Sequence, residues 1–324
     1  MSTEQFGDMR TEYSKSLIAI GEQDPNVVVL GADTTDSLKT AGFGKKFPER
    51  FFNVGIAEAN LVSVAAGLAY SGKTAFASTY AIFLPGRCVD QIRNAIAYPS
   101  PGNKKGLNVK LVVSHGGLTV GADGGSHQQI EDIATMRVIP NMRVILPADS
   151  VAVSKLTWII AQQYGPFYMR MCRSKTPIIH NDSQEFQVGK AITMREGSDC
   201  TIAACGITVK MALDAADLLN QDGISCRVID CFSIKPIDKE LLEKAARETG
   251  AIVTCEEHNI MGGFGSAVSE VISESYPVPI RRIGVQDKFG ESARDNEVPQ
   301  LLEKHGLTPI NITNMVKEAR SQKH

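Results

Sequence analysis

Short apolar, β-branched runs alternate with longer amphipathic or alanine-rich segments through the first part of the chain. The runs predict strands at residues 26–33, 73–79, 108–116, 142–149 and 166–173. The segments between them predict helices at residues 10–20, 56–70, 84–97 and 151–163. Such alternation is typical of βαβ units wound around a mostly parallel sheet.

The apolar pattern fades between residues 176 and 198 and then resumes. The second series predicts strands at residues 200–207, 225–232, 251–258 and 279–285, with helices between them and at the end of the chain. We therefore predict an α/β protein of two domains, each a mostly parallel sheet flanked by helices. The first domain is expected at residues 1–178, a linker at 179–198 and the second domain at 199–324. Domains of about 100 to 200 residues are typical of soluble proteins.

Charge and cysteine content exclude several classes of function. The 34 Lys and Arg residues nearly balance the 36 Asp and Glu residues, and no run of like charge indicates a nucleic-acid or anionic membrane surface. The seven cysteines form no C-x-x-C pair, which is typical of buried free thiols in a reducing compartment. The chain has no apolar stretch near the ~18 residues of a membrane span. We predict a soluble, cytoplasmic protein without metal ligands of its own.

Glu58 is the first candidate for chemistry. It stands at the start of an apolar, Ala/Gly-rich helical segment, and a strand that ends near two aromatic residues, Tyr80 and Phe83, follows it. Packing behind the helix would desolvate the carboxyl and favour its protonated form near neutral pH. Thiamine diphosphate enzymes use such a glutamate to donate a hydrogen bond to the cofactor's aminopyrimidine ring. The alternative is a structural role, in which Glu58 complements the N-terminal dipole of its helix.

A glycine-rich segment follows the strand predicted at residues 108–116. It has four glycines within residues 116–124, and His115 and His127 flank it, with Asp123 between them. Glycine permits the backbone to approach a ligand closely, and open α/β sheets bind ligands at this end of their strands. We interpret the segment as a site for a polar substrate; the alternative is a pair of structural histidines.

Two motifs in the second half of the chain are interpreted as structural. The glycine-rich residues 262–265 lie between a strand and a helix, but without a G-x-G-x-x-G or GK[ST] pattern they predict a tight turn. Glu256, Glu257 and His258 form a polar run that resembles a metal cluster only by composition. We predict that this run lies in a surface loop.

The order of these segments resembles the transketolase family. The segments IAEAN, AAGLA, STYAIF, DQIR, SHGGLTVGADGGSH and MRMCR follow one another as in the pyrimidine-binding domain of transketolases. The later segments RVIDCFSIKPID and EEHNIMGGFGSAV are similar to their C-terminal domain. The resemblance covers essentially the whole chain. It implies a transferase that moves a two-carbon ketol unit from a ketose phosphate to an aldose phosphate through thiamine diphosphate.

The resemblance assigns cofactor-binding roles to four residues. Glu58 is similar to the glutamate that activates the cofactor, and Asp33 to an aminopyrimidine contact. Tyr80 and Phe83 resemble the aromatic residues that stack on the ring, with Tyr80 in place of the more usual phenylalanine. Thr34 departs from the family, which often has leucine next to the ring.

Substrate-binding roles follow in the same way. His127 resembles the histidine that contacts the substrate hydroxyl and transfers protons, and Asp123 the aspartate that reads the configuration of the sugar's hydroxyls. The motif around them is DGGSH, where DGPTH is commoner. The positions of the family's sugar-phosphate cluster are filled by residues that carry no signal individually, Arg10, Ser37, His115 and Arg173.

One motif of full-length transketolases is absent. Their N-terminal domain holds Mg²⁺ and the diphosphate through a G-D-G motif, and this chain contains no G-D-G. The resemblance therefore implies the C-terminal subunit of a split transketolase. Its partner would be a separate N-terminal subunit that carries the Mg²⁺ ligands, and the two would form an α2β2 heterotetramer that serves the pentose phosphate pathway.

Two sister families share this layout and remain alternatives. The enzyme 1-deoxyxylulose-5-phosphate synthase typically has Asp-Arg-Ala-Gly where this chain has His-Gly-Gly-Leu at residues 115–118, and it is normally one polypeptide. The β subunit of 2-oxo acid dehydrogenases is naturally split but usually lacks the basic sugar-phosphate residues. A non-catalytic scaffold is a further alternative, which the presence of Glu58 and His127 disfavours.

Overall fold

A computed structural model of the chain describes residues 5–323. Its first part alternates strands and helices in the predicted order. The elements are β1 (Phe6–Gly7), α1 (Met9–Gln23), β2 (Val27–Gly31), α2 (Ala41–Lys46), β3 (Phe51–Asn53), α3 (Glu58–Tyr70), β4 (Thr74–Tyr80), α4 (Pro85–Gln91), β5 (Val109–Ser114), α5 (Asp132–Val138), β6 (Arg143–Ile145), α6 (Ser150–Gln162), β7 (Phe167–Arg170) and β8 (Thr176–Pro177).

The second part repeats this alternation. Its elements are β9 (Ile192–Arg195), β10 (Cys200–Ala204), α7 (Thr208–Gln221), β11 (Cys226–Asp230), β12 (Ser233–Lys235), α8 (Lys239–Thr249), β13 (Ile252–Asn259), α9 (Phe264–Ser275), β14 (Ile280–Val285), α10 (Val298–Lys304) and α11 (Pro309–Ser321).

Two mostly parallel sheets organise the molecule. The first has the strand order β12-β6-β7-β5-β4-β2-β3, and the second has the order β14-β13-β10-β11-β9. Within these two sheets, β12 and β9, one at an edge of each sheet, pair antiparallel with their neighbours, and the other strand pairs are parallel. The short strands β1 and β8 form a separate antiparallel pair. The central strands β2 and β5 are buried along their whole length, as expected where helices cover both faces of a sheet. The predicted α/β class with two sheet-based domains is confirmed.

Acidic residues just before two helices fix where those helices begin. The Asp8 carboxylate accepts hydrogen bonds from the backbone N–H groups of Arg10 and Thr11 at the start of α1. The Asp149 carboxylate accepts from Ala152 N–H at the start of α6. Such caps satisfy N–H groups that have no partner within the helix. Since α1 begins at Met9, Arg10 lies in its first turn, facing the end of the sheet that carries Ser37.

The structure contains several short elements that were not predicted, namely β1, α2, β3, α5, β8 and β12. Two larger differences concern segments that the sequence analysis interpreted. The segment predicted as a linker, residues 179–198, contains β9, which forms an edge of the second sheet. The run Glu256, Glu257 and His258 was predicted to lie in a surface loop, and this prediction is wrong. The three residues are in β13 and are buried between the domains, where Arg170 of β7 donates a 2.8 Å hydrogen bond to the Glu257 carbonyl.

The two domains also meet at a buried histidine. Nδ1 of His180 lies 3.1 Å from Oδ2 of Asp149, and Nε2 lies 3.2 Å from Oδ2 of Asp230. Asp149 belongs to the first domain, and Asp230 ends β11 of the second. The side chain of His180 therefore bridges a carboxylate from each domain.

Two predictions about the chain as a whole can be compared with the structure. All seven cysteines are free and buried, which confirms the prediction of unpaired thiols. Within residues 5–323, no helix is long and apolar enough to cross a membrane.

Candidate active site

The predicted site residues gather at the carboxyl ends of β2, β4 and β5. These strands are adjacent and parallel, with Gly31 opposite Ser78 and Tyr80 opposite Ser114. Residues just after the three strand ends therefore lie side by side. This edge of an open parallel sheet is where such folds bind ligands.

Two aromatic rings and two histidine rings pack together at these strand ends. The Tyr80 and Phe83 rings are stacked with centroids 5.4 Å apart, and the Tyr80 and His115 rings are stacked at 3.9 Å. The edge of His127 meets Phe83, with centroids 5.3 Å apart. The cluster brings four residues with predicted roles into direct contact, although they span 48 positions from residue 80 to residue 127.

Glu58 lies beside this ring cluster at the first position of α3. Its side chain is 7% exposed, and Arg87 Nη1 donates a 2.8 Å hydrogen bond to its Oε1. The guanidinium of Arg87 also lies over the Phe83 ring, 4.2 Å from the centroid. Arg87 thus joins the carboxylate to the aromatic cluster, a contact that no sequence motif indicated.

Asp33 occupies the turn that follows β2. Its φ of 58° lies in the left-handed region, which is uncommon for residues other than glycine and is best tolerated by Asn and Asp. Asn53 at the end of β3 accepts a 3.0 Å hydrogen bond from Asp33 N–H and lies 3.4 Å from its carboxylate through Nδ2. The exposed Asp33 side chain is thereby held at the rim of the site.

Arg10, Ser37 and Tyr80 form a connected polar group above the ring cluster. The Tyr80 hydroxyl donates to Ser37 Oγ at 2.7 Å, and Arg10 Nη1 donates to the Ser37 carbonyl at 3.2 Å. The Arg10 guanidinium also pairs with the Asp8 carboxylate at 3.3 Å. Asp8 and the Ser37 carbonyl thus orient the Arg10 guanidinium beside the Ser37 hydroxyl, and both groups are of types that bind anions.

His115 is buried, and its charge state follows from its neighbours. Burial, with the positive charges of Arg10, Arg173 and His127, lowers the pKa of His115 to about 3. Its Nδ1 lies 2.7 Å from Ser114 Oγ. The imidazole is therefore neutral at physiological pH, and it can act there as a hydrogen-bonding group but not as an acid.

The glycine-rich segment carries His127 to the ring cluster and places Asp123 four positions before it. Gly117, Gly121 and Gly124 have positive φ values of 80°, 84° and 71°, which residues with a Cβ adopt only with strain. At Gly117, a Cβ would also lie 2.1 Å from the Glu257 carboxyl carbon. Glycine is therefore required there by both backbone conformation and space.

Glu257 of the second domain forms a hydrogen bond with the backbone of this segment. Its Oε1 accepts a 2.8 Å hydrogen bond from Thr119 N–H. Burial raises the pKa of Glu257 to about 7, and Arg170, 3.9 Å from Oε2, acts in the opposite direction. The second domain thus holds the backbone just after His115, a contribution that the sequence analysis did not predict.

Arg173 follows β7 and forms an ion pair with Asp295 of the second domain. Nη1 of Arg173 lies 2.6 Å from Oδ1 of Asp295, and Nη2 lies 3.5 Å from Oδ2. This hydrogen bond raises the pKa of Arg173, and Asp123 adds a smaller effect in the same direction. The side chain of Asp123 is itself exposed.

The structure brings the predicted residues to one edge of one sheet. Arg10, Arg173 and His127 each lower the pKa of His115, so these four side chains lie close enough to interact electrostatically. Sequence reasoning missed four residues that contact the predicted site residues or the glycine-rich segment from a distance along the chain. Each lies 20 to 138 positions from its partner. They are Asn53, Arg87, Glu257 and Asp295. No group of three or more His, Cys, Asp or Glu residues suited to a metal ion occurs among residues 5–323.

Two family profiles match almost the whole chain. The profile described as the transketolase pyrimidine binding domain matches residues 7–178, and the transketolase C-terminal domain matches residues 189–312. A solved structure of a split gene transketolase, described as an inactive beta4 tetramer, superimposes with a TM-score of 0.87. It has 46% sequence identity, and the match covers 98% of this chain and 99% of that one.

Curated relatives include both short and full-length proteins. A Methanocaldococcus jannaschii protein provisionally named a transketolase C-terminal section is 45% identical, over 97% of this chain and 96% of the relative. A 6-deoxy-6-sulfo-D-fructose transketolase subunit from a Clostridium species is 39% identical, over 98% and 95%. Rat transketolase is 36% identical over 95% of this chain, but that match covers only 48% of the longer enzyme.

Proposed function

This chain belongs to the transketolase family, and we propose that it is the C-terminal subunit of a two-component transketolase. Its reaction would move a two-carbon ketol unit from a ketose phosphate to an aldose phosphate. The observation that carries the proposal is the juxtaposition, at one sheet edge, of the Glu58 and aromatic cluster with the Arg10, Ser37 and Arg173 positions. A cofactor-activating group and an anion-binding group would then share one substrate channel.

The relatives of similar length support a division of labour between two chains. Two of them carry names that describe a transketolase section or subunit, and each matches this chain over at least 95% of its own length. A full-length transketolase is about twice as long as the matched region. We infer that a separate N-terminal subunit supplies the diphosphate-binding half of the site, with Mg²⁺, in an α2β2 assembly.

The residues present fit the pyrimidine half of thiamine diphosphate. A carboxylate that is 7% exposed lies next to two stacked aromatic rings, so a flat heteroaromatic ring could find both a hydrogen-bonding partner and an apolar face. Glu58, Tyr80, Phe83 and Asp33 would hold that ring. When bound, the cofactor supplies the electron sink for breaking and making the carbon–carbon bond beside the substrate carbonyl.

Glu58 would exchange one partner for another when the site is assembled. In the described chain, Arg87 donates to the carboxylate at 2.8 Å. A ring nitrogen that takes this place must displace the Arg87 guanidinium, whose side chain is 52% exposed and free to turn toward solvent. The Oε1 atom of Glu58 would then form its hydrogen bond with the ring nitrogen.

The remaining residues would bind and orient the sugar. Arg10 and Arg173 would form charge-assisted hydrogen bonds to the phosphate, with Ser37 and the neutral His115 as further partners. His127 would hold or move a proton at the substrate hydroxyl. Asp123 would accept a hydrogen bond from a sugar hydroxyl, which fixes the sugar's orientation. The aromatic cluster would exclude water from the reacting carbonyl.

The proposed substrates are inferred from the chemistry of the anion-binding residues. Pentose and related sugar phosphates suit a site with two arginines, which supports a role in the pentose phosphate pathway. The Clostridium relative is named for a sulfo-sugar, so the tetrahedral anion at the end of the sugar is the feature that these substrates share. Seven free buried thiols are consistent with a reducing compartment such as the cytoplasm.

A two-substrate assay tests the proposed function. The chain is combined with its N-terminal partner, thiamine diphosphate and Mg²⁺, and given xylulose 5-phosphate and ribose 5-phosphate. Ketol transfer between a five-carbon ketose and a five-carbon aldose must yield a seven-carbon ketose and a three-carbon aldose in equal amounts. Decarboxylation of a 2-oxo acid without such transfer would instead place the chain with the dehydrogenase β subunits.

A further inference from the structure

A segment of the second domain, residues 286–297, lies against the glycine-rich segment of the first domain. Ala293 N–H donates to the Gly121 carbonyl at 3.2 Å, and Gln128 Nε2 donates to the Glu291 carbonyl at 2.9 Å. A Cβ added at Gly125 would lie 2.6 Å from the Gly290 carbonyl oxygen. Because each contact is made to the backbone of residues 286–297, the fold itself fixes this segment beside the substrate-binding residues.

This position brings Asp295 onto Arg173. The carboxylate faces both terminal nitrogens of the guanidinium, at 2.6 and 3.5 Å. These nitrogens form the fork that recognises a phosphate or carboxylate in a bidentate manner. Asp295 therefore occupies the donor groups that an anionic substrate would need.

We propose that Asp295 is a specificity-determining residue whose carboxylate competes with the substrate's anion for the Arg173 guanidinium. A sugar phosphate, or free inorganic phosphate, must displace its carboxylate from Arg173 before both terminal nitrogens become available. Ketol-donor substrates that are too short to reach Arg173 do not compete with Asp295. Asp295 therefore weakens the binding of every anion at this site, inorganic phosphate included, by one common factor. The proposal rests on the proposed function.

Two features of Asp295 set the size of the effect. Its side chain is 70% exposed, against 31% for Arg173, so the ion pair has the modest strength of surface pairs, about 0.2 to 1 kcal/mol. That range corresponds to a factor of about 1.4 to 5 in a binding constant. The exposed aspartate can also swing into solvent without leaving a buried charge unpaired.

The experiment compares Asp295→Asn and Asp295→Ala with the wild type in the complete complex with its N-terminal partner. We expect KM for xylulose 5-phosphate to fall by about 1.4- to 5-fold. The inhibition constant for added inorganic phosphate should fall by the same factor. Both kcat and the KM for hydroxypyruvate, an unphosphorylated donor, should remain unchanged. Ionic strength is held constant, because salt screens exposed ion pairs.

Glu291→Gln is the matched control. It removes a carboxylate in the same segment that pairs with Lys304, and it should leave all four constants at wild-type values. A rise in the KM for xylulose 5-phosphate in the Asp295 variants would show that Asp295 orients Arg173, and unchanged constants would show that it has no effect. Either result overturns the inference while the complex remains active. A wild-type complex without ketol transfer would instead reject the proposed function.

Discussion

The rings of Tyr80 and His115 are stacked face to face, with centroids 3.9 Å apart and planes inclined by 24°. Tyr80 ends β4, and His115 follows β5, so the stack joins two neighbouring strand ends. It also covers His115, whose low pKa of about 3 arises first from burial. The neutral imidazole adds no further positive charge beside Arg10 and Arg173.

Tyr80→Phe should separate the two roles of this tyrosine. The variant keeps the stack but loses the 2.7 Å hydrogen bond to Ser37. Such a bond contributes about 0.5 to 1.5 kcal/mol, so we expect a two- to tenfold rise in KM for a phosphorylated donor, with kcat nearly unchanged. Steady-state kinetics of the complex measure both. Tyr98→Phe, at a tyrosine that is 76% exposed, is the control. A large loss of kcat would show instead that the Tyr80 hydroxyl takes part in the chemistry.

Glu58→Gln should assemble normally and lose turnover. The amide has the same size and can still donate a hydrogen bond, but it cannot exchange a proton with a bound ring. General acid–base groups contribute about 10² to 10⁴-fold to rates, and a loss of kcat in this range is expected. Size-exclusion chromatography with the partner checks assembly, and Glu49→Gln, an exposed glutamate, serves as the control. Wild-type kcat in the assembled Glu58 variant would leave only the helix-dipole role.

Arg173→Ala should weaken the binding of phosphorylated sugars selectively. Loss of one charged hydrogen bond costs about 1.5 to 3 kcal/mol, which raises KM by about 10- to 150-fold. Hydroxypyruvate, which has no phosphate, should keep its kinetic constants. Arg247→Ala removes an exposed arginine of α8 and should leave the kinetic constants for both substrates unchanged. Equal losses on both donors would indicate that Arg173 supports the fold or the cofactor instead.

Stability should fall as the pH rises above about 6.5, because of His180. Burial lowers the pKa of His180, but the carboxylates of Asp149 and Asp230 outweigh it and raise the pKa to about 9. The folded state therefore holds this proton more tightly than the unfolded state does. The resulting stabilisation is complete below the unfolded pKa of about 6.5 and is lost as the pH approaches 9.

Asp230→Asn tests this pH dependence. Removing one carboxylate should lower the pKa of His180, so the variant loses its histidine-linked stabilisation at a lower pH than the wild type does. Denaturant unfolding between pH 6 and 9.5 and an NMR titration of His180 measure the two effects. Burial raises the pKa of the cysteine thiols as well, which lowers stability above about pH 8.5 in both proteins, so the difference between them is decisive. Identical His180 titration curves would contradict the account.

Five of the seven strands of the first sheet could be predicted because their sequences are mostly apolar, whereas β3 and β12 were not predicted. The buried strands β2 and β5 read as VVVLG and VKLVVS, and the glycines after β5 marked the ligand-binding edge. The strand β9 was missed because its residues, ITMR, are only half-buried and carry no apolar run. An antiparallel edge strand needs only one covered face and leaves a weak signal.

Contacts between distant segments explain what the sequence did not predict at the site. Arg87 pairs with Glu58 across 29 positions, and Glu257 supports Thr119 across 138 positions. The run at residues 256–258 was predicted to be a surface loop because three ionisable residues rarely enter a core unpaired. In the fold, Glu256 accepts hydrogen bonds from the backbone N–H groups of Phe264 and Gly265, which lie only eight and nine positions further along the chain. The partners of Glu257, which are Thr119 N–H and Arg170, come from the distant first domain.

The central claim is that this chain supplies one half of a shared active site, and titration with its N-terminal partner tests it most directly. At a fixed concentration of this chain, with saturating thiamine diphosphate and Mg²⁺, ketol transfer from xylulose 5-phosphate to ribose 5-phosphate is measured as the partner is added. We expect no turnover from either chain alone, and a rate that rises to a plateau at one partner per chain. Full turnover by this chain without the partner would contradict the claim.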